Sequence, residues 1–295
     1  KNVAAEYAGP DLPKRTDIWG VRRKSISYGE GAYDEIEYYP LADAETEADV
    51  KDHRWPSPEW FDYSVLPGKI IRAHGGEEKS LMIANGSIFE SSWYMRGFER
   101  MFMDLLIRPD LAHAIFQRVT DFYVEHFRRM LRAADGEVDL AFTADDIGSQ
   151  RGLLMSLDMW EEHIKPYHER LNGVIHELDA RVIYHTDGAV MEAVPGLIDM
   201  GVDVLQALQF DAEGMVPREM KDRWGDVLCF EGGVSVQQTL PFGTPAEVRR
   251  EVAERIRVLG EGGGYILGPS HAIQAGTPPE NIVAMFDAAV SFSRS

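Results

Sequence analysis

From about residue 80 onward, short apolar runs alternate with longer stretches of helical period. An apolar run of this length, bounded by turn residues, reads as a parallel strand buried on both faces. Such runs fall at residues 80–85, 139–145, 181–186, 202–208, 227–231 and 264–267. The stretches between them read as helices. The clearest covers 111–134, where Phe116, Val119, Tyr123, Phe127 and Leu131 share one face. Others run through 159–178, Pro245–Leu259 and Pro279–Phe292. Pro279 suits the first turn of its helix, where its missing N–H would have no partner anyway.

Six βα units in series suit either a closed barrel or an open doubly wound sheet. The usual mark of the open sheet, a Gly-rich dinucleotide turn after the first strand, is not in the sequence. The triplet Gly262-Gly263-Gly264 follows a helix and precedes its strand, so it reads as a helix end and loop rather than a phosphate cradle. The expectation is an α/β fold, a (β/α)8 TIM barrel, over residues 80–295. Its two further strands would come from residues 1–79 or from sequence upstream. Residues 1–79 mix Pro, Tyr, Trp and charges without period, as in Trp55-Pro56-Ser57-Pro58-Glu59-Trp60. They read as an N-terminal extension, either a lid over one barrel face or an ordinary packed segment, with a small hairpin around 26–36.

Composition narrows the classes. The 295 residues suit one α/β barrel, and 44% apolar content can fill a large core. No apolar run approaches the roughly 18 residues that a membrane span requires, and no secretory signal is visible. The chain starts at Lys1 rather than Met, which reads as the interior of a longer gene product. Thirty basic residues against 49 acidic give a formal charge of −19. Such a surface repels phosphate backbones, and no basic stripe offsets it, so neither nucleic acid nor membrane is expected as a partner. The single cysteine, Cys229, excludes an internal disulfide and a multi-thiolate metal site, and fits a reducing cytoplasm. A homodimer stays open.

The strand ends carry the candidate chemistry. Residues 181–186 feed His185-Thr186-Asp187-Gly188, and residues i and i+2 of a strand point to one side, roughly 6.6 Å apart. His185 and Asp187 can therefore converge on one ligand, or bond to each other and fix a loop. Tyr265-Ile266-Leu267-Gly268-Pro269-Ser270-His271 has the same design, with a histidine past the strand. If the two ends face each other, His185, Asp187 and His271 form a two-imidazole, one-carboxylate set suited to zinc, iron or another divalent metal. His271 as an ordinary loop histidine is the alternative. Asp145 and Asp146, paired at a strand end, can act as acid and base, since close carboxylates split their pKa values; Asp146 can equally cap the next segment. Gln206, Gln209 and Glu231 complete the polar ring, and Glu231 precedes Gly232-Gly233, where backbone can approach a ligand. His113, His126, His163, His168 and His176 lie in helical stretches and read as packing or surface residues.

Several of these stretches together resemble the uroporphyrinogen decarboxylase-like superfamily. They are Asp145-Asp146-Ile147-Gly148-Ser149-Gln150 with Lys165-Pro166-Tyr167, His185-Thr186-Asp187-Gly188, Phe230-Glu231-Gly232-Gly233-Val234 and Leu240-Pro241-Phe242-Gly243-Thr244-Pro245. The segment from Gly263 to Asn281 and Asp17-Ile18-Trp19-Gly20 complete the match. The resemblance implies a (β/α)8 fold and an enzyme: either a decarboxylase of heme biosynthesis or a zinc-dependent methyltransferase working with a corrinoid on a partner protein. The decarboxylase branch carries an Arg-Gln-Ala-Gly-Arg segment that this sequence lacks. The methyltransferase branch holds zinc on a His-x-Cys pair and a later cysteine; here Asp187 and His271 stand in those places. Carboxylate and imidazole leave a harder, more Lewis-acidic cation than thiolates do. The resemblance thus implies methyl transfer between a small methoxylated or methylthio substrate and a corrinoid. In it His185, Asp187 and His271 hold the metal, Asp145, Asp146 and Glu231 do acid–base work, and Gln150, Gln206, Gln209, Arg96 and Arg151 contact substrate. The alternatives are a uroporphyrinogen decarboxylase-type carboxy-lyase and a non-catalytic corrinoid- or metal-binding subunit.

Overall fold

The computed structural model describes residues 1–27 and 31–292. Six parallel strands appear at the six predicted places: β1 (Met82–Ser87), β2 (Leu140–Ala144), β3 (Arg181–His185), β4 (Val204–Leu208), β5 (Cys229–Val234) and β6 (Tyr265–Pro269). At least one helix follows each of them, so the α/β expectation holds. None of the described helices is long and apolar enough to cross a membrane. The chain forms two compact units, one of Lys1–Asp145 with Met159–Val182 and the other of Asp146–Asp158 with Ile183–Ser295.

In the first unit β1 and β2 pair in parallel, Met82 beside Leu140 and Ser87 beside Ala144. The chain start supplies a further parallel partner for β1, as expected of a strand from residues 1–79. Val3 N–H donates to Met82 O at 2.9 Å, and Met82 N–H donates to Lys1 O at 2.8 Å. The helix Pro109–Ala134 begins with proline in its first turn and runs 26 residues. Phe116, Val119, Tyr123, Phe127 and Leu131 are buried on it, as their spacing predicts. Gly86 on β1 makes room for that packing. A Cβ there would lie 3.0–3.2 Å from Leu171 Cδ2, Phe127 Cζ and Thr143 Cγ2, tighter than ordinary van der Waals contact.

Trp19 and Tyr63, from the N-terminal part of the chain, pack against the same helix. Trp19 is buried with its ring 5.1 Å from Phe122 and 5.5 Å from Tyr123, and Tyr63 hydrogen-bonds His126 Nδ1 at 2.7 Å. A hairpin of Arg22–Ser27 and Ala32–Tyr38 pairs antiparallel, so the predicted hairpin extends further on both sides than 26–36. Residues 28–30 within it lie outside the described residues.

In the second unit β4 pairs in parallel with β3 on one side and β5 on the other, and β5 pairs with β6. Val234, Leu240, Val248, Val252, Ala284 and Met285 form an apolar cluster beneath the helices Pro245–Leu259 and Pro279–Phe292. The first of these helices starts at a capping box: Thr244 Oγ1 accepts from Glu247 N, and Glu247 Oε2 accepts from Thr244 N at 2.7 Å. Buried Asn281 donates to Leu240 O at 2.9 Å and Gly243 O at 2.8 Å, which joins the second helix to the turn before the first.

Candidate metal centre

The carboxyl ends of β3 and β6 in the second unit bring together His185, Asp187 and His271. One donor atom from each lies within 4.8 Å of the other two. His185 Nε2 is 3.9 Å from Asp187 Oδ1, and His271 Nε2 is 3.6 Å from Asp187 Oδ2. These separations exceed hydrogen-bond length. The three side chains thus converge without bonding to one another, which separates this arrangement from a His–Asp bond that merely fixes a loop. The imidazole centroids stand 5.9 Å apart.

The local chain explains the convergence. Gly188, at a φ of 87°, turns the backbone immediately after Asp187. Gly148 and Gly188 then let two loops touch. A Cβ at Gly148 would lie 2.5 Å from Asp187 O, and one at Gly188 would lie 2.5 Å from Ser149 O. Ile147 N–H donates to Thr186 Oγ1 at 3.1 Å and Ala189 N–H to Ser149 O at 2.8 Å, so the two loops are pinned by one side-chain and one main-chain acceptor. Asp146 belongs to this joint. Its Oδ1 accepts from Asp187 N at 2.9 Å and stands 3.8 Å from His185 Nε2.

The electrostatics favour a cation. Asp187 Oδ1 is buried with no hydrogen-bond donor, a cost of about 1–3 kcal/mol unless something positive meets it. Burial pushes the Asp187 carboxyl above its usual value, neighbouring Asp146 pushes the same way, and the two imidazoles oppose them. Zinc forms bonds of roughly 2.0–2.2 Å to such nitrogen and oxygen donors, and its tetrahedral sites tolerate mixed sets. The residues present fit a divalent cation.

Around this centre the polar ring is committed to holding loops and side chains. Gln209, nearly buried, accepts from Gly188 N at 2.9 Å and from Gln150 Nε2 at 3.1 Å through one oxygen. Gln206 Oε1 lies 2.5 Å from His185 Nδ1, a contact that the sequence alone did not single out. Glu231 is pushed up to about 7 by burial, with neighbouring Gln206 opposing the rise, and its Oε2 is buried without a partner. Arg151 is exposed at the tip of a two-residue turn between Gly148–Ser149 and Gly152–Leu153.

Two expected site residues are taken up by the first unit instead. Arg96 is 1% exposed; it pairs with fully buried Asp104 at 2.6 Å and donates to Leu41 O and Ala42 O. A substrate carboxylate would have to displace that whole network to reach the Arg96 guanidinium. Asp145 is likewise fully buried. It accepts from Ser87 Oγ at 3.0 Å, Phe89 N at 2.7 Å, Glu90 N at 2.8 Å and His168 Nε2 at 2.5 Å. The carboxylate caps the start of the helix Phe89–Arg96, which has no side-chain cap of its own. That is a folding role rather than the acid–base role read from the Asp-Asp pair. The partner His168 carried no signal in the sequence beyond a histidine in a helix.

A family model described as uroporphyrinogen decarboxylase matches residues 26–292. The uroporphyrinogen decarboxylase of an Anaeromyxobacter species is 28% identical over 255 residues, covering 84% of this chain and 69% of that protein. The uroporphyrinogen decarboxylase of Erwinia tasmaniensis is 23% identical over 261 residues, with the same coverage of 84% and 69%. Among solved structures, a methyltransferase from Methanosarcina mazei superposes with a TM-score of 0.69 at 19% identity, covering 97% of this chain and 81% of that one. The last likeness is one of fold.

Proposed function

The chain belongs to the uroporphyrinogen decarboxylase family, and on that premise we propose that it is a metal-dependent methyltransferase. It would move a methyl group from a small methoxylated or methylthio compound to a corrinoid carried by a separate protein. The observation that carries this reading is the meeting of His185, Asp187 and His271 around an unpartnered buried carboxylate oxygen. His185 and His271 would offer Nε2 and Asp187 its carboxylate. A divalent cation held there supplies Lewis acidity to an ether, phenolic or thioether heteroatom.

The remaining steps belong to the chain itself. Asp146 holds the backbone of Asp187. Gln209 ties the loop carrying Gly188 to Gln150. Glu231, whose carboxyl sits near neutrality, can hold a proton at its buried oxygen and release it to the heteroatom that loses its methyl group. The carboxylates of Asp146, Asp187 and Glu231 disfavour an acidic substrate here, because each buried charge on it would need a cation of its own.

Elemental analysis of protein purified without added metal tests the premise. Stoichiometric zinc or iron is expected, and it should vanish in His185→Ala and His271→Ala. The same preparation should then methylate free reduced cobalamin from a methoxylated aromatic donor, followed by the change in cobalamin absorbance. The names of the curated relatives favour a second reading, a carboxy-lyase. Coproporphyrinogen formed from uroporphyrinogen by metal-free protein would establish that one and overturn the first.

A further inference from the structure

β3 and β4 pair in parallel with Gln206 directly beside His185, so the two side chains leave the sheet on one face as neighbours. His185 Nδ1 and Gln206 Oε1 meet at 2.5 Å. An amide oxygen can only accept, so the hydrogen of this bond sits on Nδ1 and the lone pair of the neutral ring is left on Nε2. Turning the amide over would reverse that and put the hydrogen on Nε2. Gln206 lowers the Glu231 pKa, the sense expected when its amide N–H rather than its oxygen faces that carboxyl, and this keeps Oε1 toward His185.

Glu231 stands against the neighbouring strand. A Cβ at Gly268 would lie 2.7 Å from its Oε1, so glycine at 268 leaves the carboxylate room where it stands. Glu231 lies beside Ile266 in the β5–β6 register, which places it on a paired strand rather than in a mobile loop.

We propose that Gln206, oriented by Glu231, is a positioning residue that selects the Nδ1–H tautomer of His185 and presents Nε2 to the ground between Asp187 and His271. Gln206 is then not a substrate contact, and Glu231 acts on the histidine through it. What the Nε2 lone pair serves rests on the metal reading above; the tautomer itself does not.

Nitrogen NMR of metal-free protein labelled at histidine, at a pH where the rings are neutral, tests this directly. His185 is assigned by the signals lost in His185→Gln. The wild-type ring should show a protonated Nδ1 and a pyridine-like Nε2. In Gln206→Ala or Gln206→Leu the two nitrogens should exchange character or average. Glu231→Gln, which keeps an acceptor for the Gln206 amide, should hold the wild-type pattern, whereas Glu231→Leu should lose it. Zinc affinity measured by chelator competition should fall roughly 10–100-fold in the Gln206 variants, the usual cost of losing the partner behind a ligating histidine. A protonated Nε2 in the wild type, or an unchanged pattern in both Gln206 variants, overturns the proposal even if zinc binds. Wild-type protein that keeps the Nδ1–H tautomer but takes up no zinc upholds the positioning role and overturns the metal reading.

Discussion

Asp145 and Asp187 are both carboxylates at the carboxyl end of a core strand, and their surroundings differ in kind. Asp145 receives three backbone N–H groups, a serine hydroxyl and an imidazole, all within 3.3 Å. Asp187 keeps one buried oxygen with no donor at all and has a second carboxylate, that of Asp146, raising its pKa. Polar groups sealed inside a protein are normally satisfied. The first carboxylate obeys that rule and stabilises its unit; the second breaks it, and the imidazoles beside it mark where the missing partner would sit. Deficit, more than burial or charge, separates the two carboxylates.

Breaking the satisfied side should produce the largest effect. Asp145→Ala removes the cap of the helix Phe89–Arg96 and leaves His168 buried without its partner, at a cost of about 3–5 kcal/mol, read from chemical denaturation. The deficient side should behave in the opposite sense. Asp187→Ala should leave the metal-free protein as stable as the parent or slightly more so, since it removes an unpaired buried oxygen. It should weaken zinc binding by more than the roughly 100-fold upper bound for loss of an outer partner. Chelator competition and denaturation on the same two samples would separate the effects. A loss of stability in Asp187→Ala as large as that in Asp145→Ala would erase the distinction between them.

The smallest effect concerns Glu231, whose carboxyl rises from 4.5 to about 7 on folding. A carboxyl raised in the folded state binds protons more tightly there than in the unfolded chain. Its contribution is therefore fully present below pH 4.5 and is lost as the pH climbs through 7. The loss for metal-free protein is about 2 kcal/mol once partial solvent access is allowed for. Glu231→Gln should flatten that part of the pH–stability curve. A curve unchanged by the substitution would mean that the carboxyl titrates normally.

The six core strands were legible because each is a run of apolar residues that can be buried on both faces, and the long helix because its apolar face repeats every three to four residues. The meeting of His185, Asp187 and His271 was legible for a related reason: His185 ends β3, and Asp187 and His271 lie two residues past the ends of β3 and β6, where the strands set the direction of the chain. The role of Asp145 was not, since its donors at Ser87, Phe89, Glu90 and His168 lie 23 to 58 positions away and none forms a local motif with it. Arg96 misled for a similar reason. A lone arginine reads as surface or site, and only the packed structure shows Asp104 and two carbonyls closing around it. The link from His185 to Gln206 depends on the β3–β4 register, which strand periodicity alone leaves undetermined.

The glycine pair at 148 and 188 carries a consequence for redesign. Because a methyl group at either place would collide with main chain of the opposite loop, the two segments form one plate whose spacing no side-chain exchange can adjust. Donors mounted on that plate are set in advance of any ligand, which spares binding the entropy of gathering them. Variation in what the protein accepts would then have to come from the turn at Gln150 and Arg151, at the plate's edge, where exposed Arg151 has room to change.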